Sequence, residues 1–291
     1  MKILLVSVRS EKSHGGIAVW TERFLGGCPS HAIECDLVNT EMIGKRQTQA
    51  GARRNLVDEI VRSKRIFSDL KKKLKEKDVK YDAAHLNTSC GSFGLFRDYI
   101  VAKKIVKRGI RLITHFHCDI PFWITNPINK YFLGKLVRLS NERLVLCENS
   151  REYLERNFSA SSVKMPNFIE DTLVSEIERH YSGKVRKAFF VGRVEIPKGA
   201  KEIYELARRF PDIEFELVGS VDSVIASWDK PENVTLPGGM PHEQVIEHMD
   251  GADIFVFPSH TEGFSMALTE AMARGLPSVA TDVGANKDML D

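Results

Sequence analysis

The chain has 291 residues, 43% hydrophobic and 28% charged, an ordinary globular composition long enough for two domains with their own cores. Its net charge of +3 is too mild to argue for nucleic acid, and no segment approaches the roughly eighteen continuous apolar residues of a membrane span. Five cysteines (Cys28, Cys35, Cys90, Cys118, Cys147), odd in number and without a CxxC pair, argue for a reducing compartment and against a zinc site or a disulfide framework.

Lys2–Val8 reads as a first strand, since the N-terminus is too short for a signal peptide and lacks a small-residue cleavage site. A polar loop, Arg9–Gly16, leads into a helix over Ile17–Leu25. No GxGxxG follows the strand, so a nicotinamide dinucleotide fingerprint is absent. Gly15 and Gly16 instead expose backbone at a helix start, where a phosphate or an incoming acceptor can approach; a plain turn explains them equally. A second strand spans Ala32–Val38. The next helix, Asn55–Lys77, carries Leu56, Ile60, Phe67, Leu70 and Leu74 on one stripe. Its other face holds Lys64, Arg65, Lys71, Lys72, Lys73, Lys75 and Lys77, either a solvated surface or a patch that touches anionic lipid.

Strand Asp82–Asn87, helix Leu95–Lys107 and strand Arg111–Phe116 follow, the last delivering the loop His117–Pro121. The expectation is that His115 and His117 point to opposite faces of this strand end; a lone histidine is more often structural than functional. Helix Ile128–Ser140 and strand Arg143–Cys147 come next, and Glu148-Asn149-Ser150 opens a helix with a good N-cap. Met165-Pro166-Asn167-Phe168-Ile169 closes the first half, with the boundary placed near residues 165–184.

Beyond it the βα pattern restarts: strand Lys187–Val191, helix Ala200–Arg209, strands Ile213–Val218 and Asn233–Leu236, and helix His242–Asp250. Alternating βα units on both sides of a boundary imply two doubly wound domains. Arg193 ends the first of these strands and Lys198 follows in the loop. A fixed guanidinium fork and a mobile ammonium suit a diphosphate, although two basic residues after a strand are commonly a surface pair. Gly219 and Pro237-Gly238-Gly239-Met240 stand at strand ends where a base could sit, and turns explain those glycines as well.

The most informative stretch is Ala252–Pro277. It reads as a buried strand (Ile254–Phe257), a polar loop, a helix closed by Gly275 and Pro277, and then strand Ser278–Thr281. Ligands of such βαβ units sit at the C-terminal ends of the strands. Glu262 is expected just before the helix and Glu270 two turns inside it, roughly 12 Å apart along the axis. Between them Gly263 and Ser265 let backbone N–H groups approach an anion. The layout suits a ligand with hydroxyls at both ends and phosphates in the middle, as in a nucleotide diphospho-sugar. On spacing alone, a capping acid and a solvated acid serve as well.

The Glu-x7-Glu pair in its context, Pro258–Pro277, resembles the signature of the retaining GT-B glycosyltransferases called glycosyltransferase group 1, or family four. The resemblance extends over essentially the whole chain. It implies an α/β fold of two Rossmann-like domains facing a cleft: an acceptor-side domain over 1–167 and a nucleotide-sugar-binding domain over 168–291. Relatives continue with a further βα segment and a last helix that crosses back, so the C-terminal part is expected to be cut short. Gly15 and Gly16 resemble the family's glycine-rich first loop, and His117, in preference to His115, its strand-then-His feature. Pro166-Asn167-Phe168 resembles its Pro-Asn-Gly hinge turn, with Phe168 in the glycine's place. Gly192-Arg193-x4-Lys198-Gly199 resembles its phosphate-binding motif.

The implied activity is retaining transfer of a sugar from a nucleotide diphospho-sugar to an acceptor hydroxyl, in polysaccharide or glycolipid assembly. Arg193 and Lys198 hold the leaving diphosphate, with donors from Gly263, Phe264 and Ser265. Glu262 takes the sugar hydroxyls, Glu270 takes the ribose diol, and His117 shapes the donor sugar's pocket. The resemblance implies no metal and no cofactor beyond the donor as substrate. Its partners are that donor and a glycan or lipid-linked acceptor, with peripheral membrane contact and no nucleic acid. The location is cytoplasmic, at the inner face of the membrane. The alternative is a non-catalytic relative that binds a nucleotide sugar or serves as a partner subunit.

Overall fold

The computed structural model describes residues 1–9, 15–44, 55–76, 79–175, 179 and 183–290. Two compact units divide the chain, Met1–Asn167 and Phe168–Asp291. Ser10–His14 of the first loop, Lys77 of the basic helix, and residues 176–178 and 180–182 of the boundary lie outside the described residues.

The first unit is a parallel sheet in the order β2-β1-β3-β4-β5-β6 with helices in the connections. Its strands are β1 (Lys2–Ser7), β2 (Glu34–Asn39), β3 (Ala83–Thr88), β4 (Arg111–Phe116), β5 (Glu142–Val145) and the short β6 (Val163–Lys164). β3 is buried along its whole length and β1 nearly so, as central parallel strands covered on both faces must be. The helices are α1 (Gly16–Gly27), α2 (Leu56–Lys73), α3 (Ser92–Val106), α4 (Ile120–Trp123), α5 (Pro127–Leu139) and α6 (Glu148–Phe158). Asn55 and Asn126 cap α2 and α5, each side-chain oxygen accepting a backbone N–H of the first turn.

Three expectations for this unit are corrected. The buried line of α2 runs through Glu59, Ser63, Ile66 and Leu70, with Phe67 and Leu74 beside it, whereas Leu56 and Ile60 are exposed. The seam at this end of the helix is polar: Arg62 Nε donates to the Thr40 carbonyl at 2.9 Å and its Nη1 lies 3.4 Å from Glu59. A hydrophobic stripe therefore misplaced the packed face there. The N-cap of α6 is Cys147, with no side-chain cap; Ser150 Oγ instead accepts the N–H of Ile120 at 2.9 Å, tying α6 to α4. Finally, Cys90 and Cys118 form a disulfide. Thr88 and Phe116 are register partners on β3 and β4, so the cysteines two residues beyond each are brought side by side, with Cα atoms 6.5 Å apart. Sequence spacing of 28 residues gave no sign of that pairing.

The second unit is a parallel sheet in the order β11-β10-β7-β8-β9. The strands are β7 (Lys187–Val191), β8 (Glu214–Val218), β9 (Val234–Gly238), β10 (Ile254–Phe257) and β11 (Ser278–Ala280), and the helices α7 (Ala200–Arg209), α8 (Ser223–Ala226), α9 (His242–Asp250), α10 (Met266–Ala273) and α11 (Asn286–Leu290). Phe189 and Phe190 of β7 pack against Phe255 and Phe257 of β10, with ring centroids 6.4 and 6.0 Å apart. From β7 the chain winds outward to β8 and β9, then returns to place β10 on the other side of β7. The direction of winding reverses between β7 and β10, and that is where an open α/β sheet leaves a crevice at its strand ends. The first unit has its own reversal between β1 and β3.

Candidate active site

The chain leaves β7 through Gly192, Arg193 and a single 3-10 turn, Ile196–Lys198, and leaves β10 through Pro258–Ser265. These two loops flank the reversal in the second unit and are bonded together. The N–H of His260 donates to the Pro197 carbonyl at 2.9 Å, and Ser259 Oγ donates to the same oxygen at 3.4 Å. Gly199, at φ +83°, lies so close to β10 that a Cβ would fall 2.3 Å from the Pro258 carbonyl oxygen. Gly219, at the end of β8, is held as tightly: a Cβ there would fall 1.8 Å from the Gly192 carbonyl oxygen. Backbone packing demands this glycine whatever the ligand.

Four charged groups stand on the two loops and the helix that flank the reversal. Lys198 Nζ lies 2.6 Å from Glu262 Oε1, and both side chains are largely buried. Arg193 is about half exposed and grips Glu195 through both guanidinium nitrogens, at 3.0 and 2.9 Å. Glu270 is buried on α10. It is the fifth residue of that helix, little more than one turn in, because α10 starts only at Met266; Glu262 therefore sits in the loop, not on the helix. Ser265 caps α10, its Oγ accepting the N–H of Leu268 at 3.1 Å. Gly263 and Phe264 are partly buried in the same loop. The Gly263 carbonyl receives the N–H of Ala285, and Gly284 (φ +56°) passes so near the Glu262 carbonyl that a Cβ would fall 2.3 Å from it. Glu195 went unnoticed in the sequence, and its place between Arg193 and Lys198 was the available signal.

His117, Gly15 and Gly16 lie in the first unit. A Cβ at Gly16 would meet nothing within 4 Å among the described residues, so no packing there demands the glycine, and both glycines are exposed. His115 and His117 are not on opposite faces. Their rings lie tilted against one another on one side, centroids 3.9 Å apart, because residues two apart on a strand share a face. His85 of β3 joins them at 5.6 Å from His115, and Trp20 of α1 contacts all three imidazoles. Nε2 of His85 and of His117 are enclosed without a hydrogen-bond partner among the described residues. Burial pushes His85 down to about 4. Burial, with His85 beside it, pushes His115 down to about 3, and burial with both neighbours holds His117 well below the ordinary imidazole range. All three rings are neutral at pH 7. The Cys90–Cys118 bridge adjoins this group, next to His117. His85 and Trp20 had no distinguishing pattern in the sequence.

Among the described residues, no group of three or more His, Cys, Asp or Glu side chains has a geometry that could hold a metal ion. None of the described helices is long and apolar enough to cross a membrane.

Comparison with known proteins gives a family likeness in the second unit. Residues 176–291, which carry the second unit's cluster, match the model for glycosyl transferases group 1. Over all its length the chain superimposes on a sucrose-phosphate synthase from Thermosynechococcus elongatus, with a TM-score of 0.74, 16% identity and 84% of that chain covered. The protein is a GT-B-fold relative of the group 1 glycosyltransferases. A second structural likeness is Anabaena Alr3699/HepE, solved in complex with UDP-glucose: TM-score 0.66, 16% identity, 100% of this chain and 83% of that one. In sequence the chain is similar to a 2-deoxystreptamine N-acetyl-D-glucosaminyltransferase of Niallia circulans, 25% identical over 247 residues. That match covers 74% of this chain and spans 62% of the relative's length.

Two measurements follow from the geometry of this group 1 relative. Arg193 is already occupied by Glu195, so any incoming anion must displace a carboxylate. For a half-exposed pair the cost is below about 1 kcal/mol. Glu195→Gln is expected to bind inorganic pyrophosphate about two- to fivefold more tightly by calorimetry; unchanged or weaker binding would show that Glu195 orients Arg193 and does not compete for it. The second concerns the imidazoles, which are neutral when folded and titrate near 6.5 when unfolded. The unfolded chain therefore binds more protons below that pH, and their contribution to stability, intact above about 6.5, is lost as pH falls toward 4. For His85 alone the loss is about 3 kcal/mol. Urea midpoints should fall between pH 7 and 5, and fall less steeply in His115→Gln; equal slopes in the two proteins would contradict the assignment.

Proposed function

We propose that this protein is a retaining glycosyltransferase that moves a sugar from a nucleotide diphospho-sugar to an acceptor hydroxyl, in polysaccharide or glycolipid assembly. One observation supports the reading: Lys198 and Glu262 meet at 2.6 Å beside the point where the second unit's sheet reverses, with Arg193 in the loop that carries Lys198 and Glu270 on the helix that follows Glu262. Relatives support the class of reaction, since the Niallia circulans relative is named for N-acetyl-D-glucosaminyl transfer and Alr3699/HepE was solved with UDP-glucose.

In the reaction the bond between the anomeric carbon and the β-phosphate oxygen breaks, and its electron pair stays on the diphosphate. Arg193 and Lys198 neutralise that charge as it grows. To do so each exchanges a carboxylate, Glu195 or Glu262, for phosphate oxygens. Glu262, released from Lys198, accepts hydrogen bonds from the sugar hydroxyls, and Glu270 accepts them from the ribose diol. N–H groups at the start of α10, around Gly263, Phe264 and Ser265, add donors to the phosphates. The acceptor oxygen bonds to the anomeric carbon on the face the diphosphate leaves, and its proton passes to the departing phosphate. His117, Gly15 and Gly16 are the first unit's contribution in this reading, carried by the family resemblance.

A panel of UDP-, GDP- and ADP-sugars screened by thermal shift identifies the donor, because a ligand that binds only the folded state raises its stability. Arg193→Ala is then expected to lower donor turnover, followed as release of nucleoside diphosphate, by about 10²–10³-fold. Glu270→Ala is expected to weaken donor binding. If both variants bound and turned over the donor as the wild type does, the site would be elsewhere. Donor binding without any turnover would favour the non-catalytic alternative.

A second element of the reading is contact with a membrane surface that carries a lipid-linked acceptor, at the cytoplasmic face. It is favoured by the outer face of α2, where exposed Leu56, Val57, Ile60 and Val61 run into exposed Lys64, Arg65, Lys71, Lys72 and Lys75. Apolar side chains beside a basic run suit an anionic bilayer surface, each cation contributing about 1 kcal/mol near it. Co-sedimentation should be stronger with vesicles containing phosphatidylserine than with neutral ones and should drop in Lys71→Glu/Lys72→Glu. Indifference to lipid charge would dismiss the idea.

A further inference from the structure

Glu270 is enclosed on α10, and its carboxylate has one ion-pairing or hydrogen-bonding partner among the described residues, His242, whose Nε2 lies 3.2 Å from Oε1. His242 is the first residue of α9, directly after Pro241. α9 brings the chain to β10 and α10 takes it away, so the contact joins the two helices on either side of the strand that forms the reversal. The imidazole is 51% exposed and the carboxylate side chain 11%, which places the ring over the acid on its solvent side. At that distance the imidazole can donate to the carboxylate, which when ionised can only accept.

This pair differs from the two others in the cluster. A diphosphate must compete with Glu262 for Lys198 and with Glu195 for Arg193, because in each case carboxylate and phosphate want the same cation. A diol makes no such demand on Glu270. It donates, a carboxylate offers about four lone-pair sites, and one held by His242 leaves others open. His242 can stay in place when ligand arrives, and by staying it removes the rotational freedom the acid would otherwise lose on binding.

We propose that His242 is a positioning residue for the ribose end of the donor site: it holds the Glu270 carboxylate so that nucleoside diphosphates bind more tightly than pyrophosphate alone. The proposal rests on the reading of Glu270 as the ribose-binding acid. The sequence signal was only a histidine opening a helix after proline, which reads as surface.

The test is calorimetric titration of the full chain with UDP, GDP and ADP, continued with whichever binds most tightly, and in parallel with inorganic pyrophosphate. The proteins are wild type, His242→Ala, His242→Gln, Glu270→Gln and the His242→Ala/Glu270→Gln double variant, with melting temperatures checking that each is folded. His242→Ala is expected to weaken the nucleoside diphosphate about tenfold, equivalent to ~1.4 kcal/mol, and to leave pyrophosphate within about twofold. His242→Gln, which keeps an N–H donor, should recover most of the loss, and the double variant should be no weaker than Glu270→Gln. Wild-type affinity in His242→Ala alongside weak binding in Glu270→Gln would overturn the role of His242 and leave the site reading standing. Equal loss for pyrophosphate, or no recovery by glutamine, would also overturn it. If Glu270→Gln binds normally, or no nucleoside diphosphate binds the wild type, the reading of Glu270 falls and this proposal falls with it.

Discussion

The second unit depends on how closely two backbone segments approach at its sheet reversal. The turn that carries Lys198 is pressed against the end of β10, with Gly199 against the Pro258 carbonyl and two donors, the His260 N–H and Ser259 Oγ, on the Pro197 carbonyl. That contact fixes the distance between a cation on one loop and an acid on the other. Lys198 and Glu262 are 64 positions apart in sequence yet 2.6 Å apart in space, and neither loop alone determines the separation. A side chain at position 199 would push the loops apart and dissolve the pair. The glycines at 199, 219 and 284 thus set the geometry in which the charged residues meet.

With the loops pinned, the electrostatics of the free protein become legible. Both cations of the cluster are compensated by a neighbouring acid, Lys198 by Glu262 and Arg193 by Glu195, and Glu270 has the His242 ring beside it. Enclosed charges without partners are costly, so the largely buried Lys198 and Glu262 stabilise one another. The arrangement also orders events. Under the proposed function, the groups assigned to the diphosphate first let go of an acid, whereas the group assigned to the ribose keeps its partner.

The first unit is organised on a different principle. Its reversal, between β1 and β3, is lined by uncharged polar side chains: Ser7 Oγ bonded to Thr21 Oγ1 at 2.6 Å, and Asn87 Nδ2 donating to Ser7 at 2.8 Å. Beside them stand three neutral imidazoles under Trp20. A neutral, enclosed imidazole can shape a pocket or share a hydrogen bond without attracting a counter-ion.

By itself the sequence determined what local chemistry controls. Apolar periodicity and turn residues located strands such as Arg111–Phe116 and Ile254–Phe257 and helices such as Ala200–Arg209, because each is decided within a dozen residues. The Arg193, Lys198, Glu262 and Glu270 set was visible as residue types at fixed spacing, together with its likeness to group 1 glycosyltransferases. Only the tertiary structure decided which groups touch. It turned Leu56 and Ile60 outward where a polar seam fills the contact, and it gathered His85, His115 and His117 onto one face. It also paired Cys90 with Cys118 through the register of β3 and β4, and set Glu195 and His242 against the residues they restrain. Those outcomes depend on strand order and register, long-range quantities that no short window of sequence encodes.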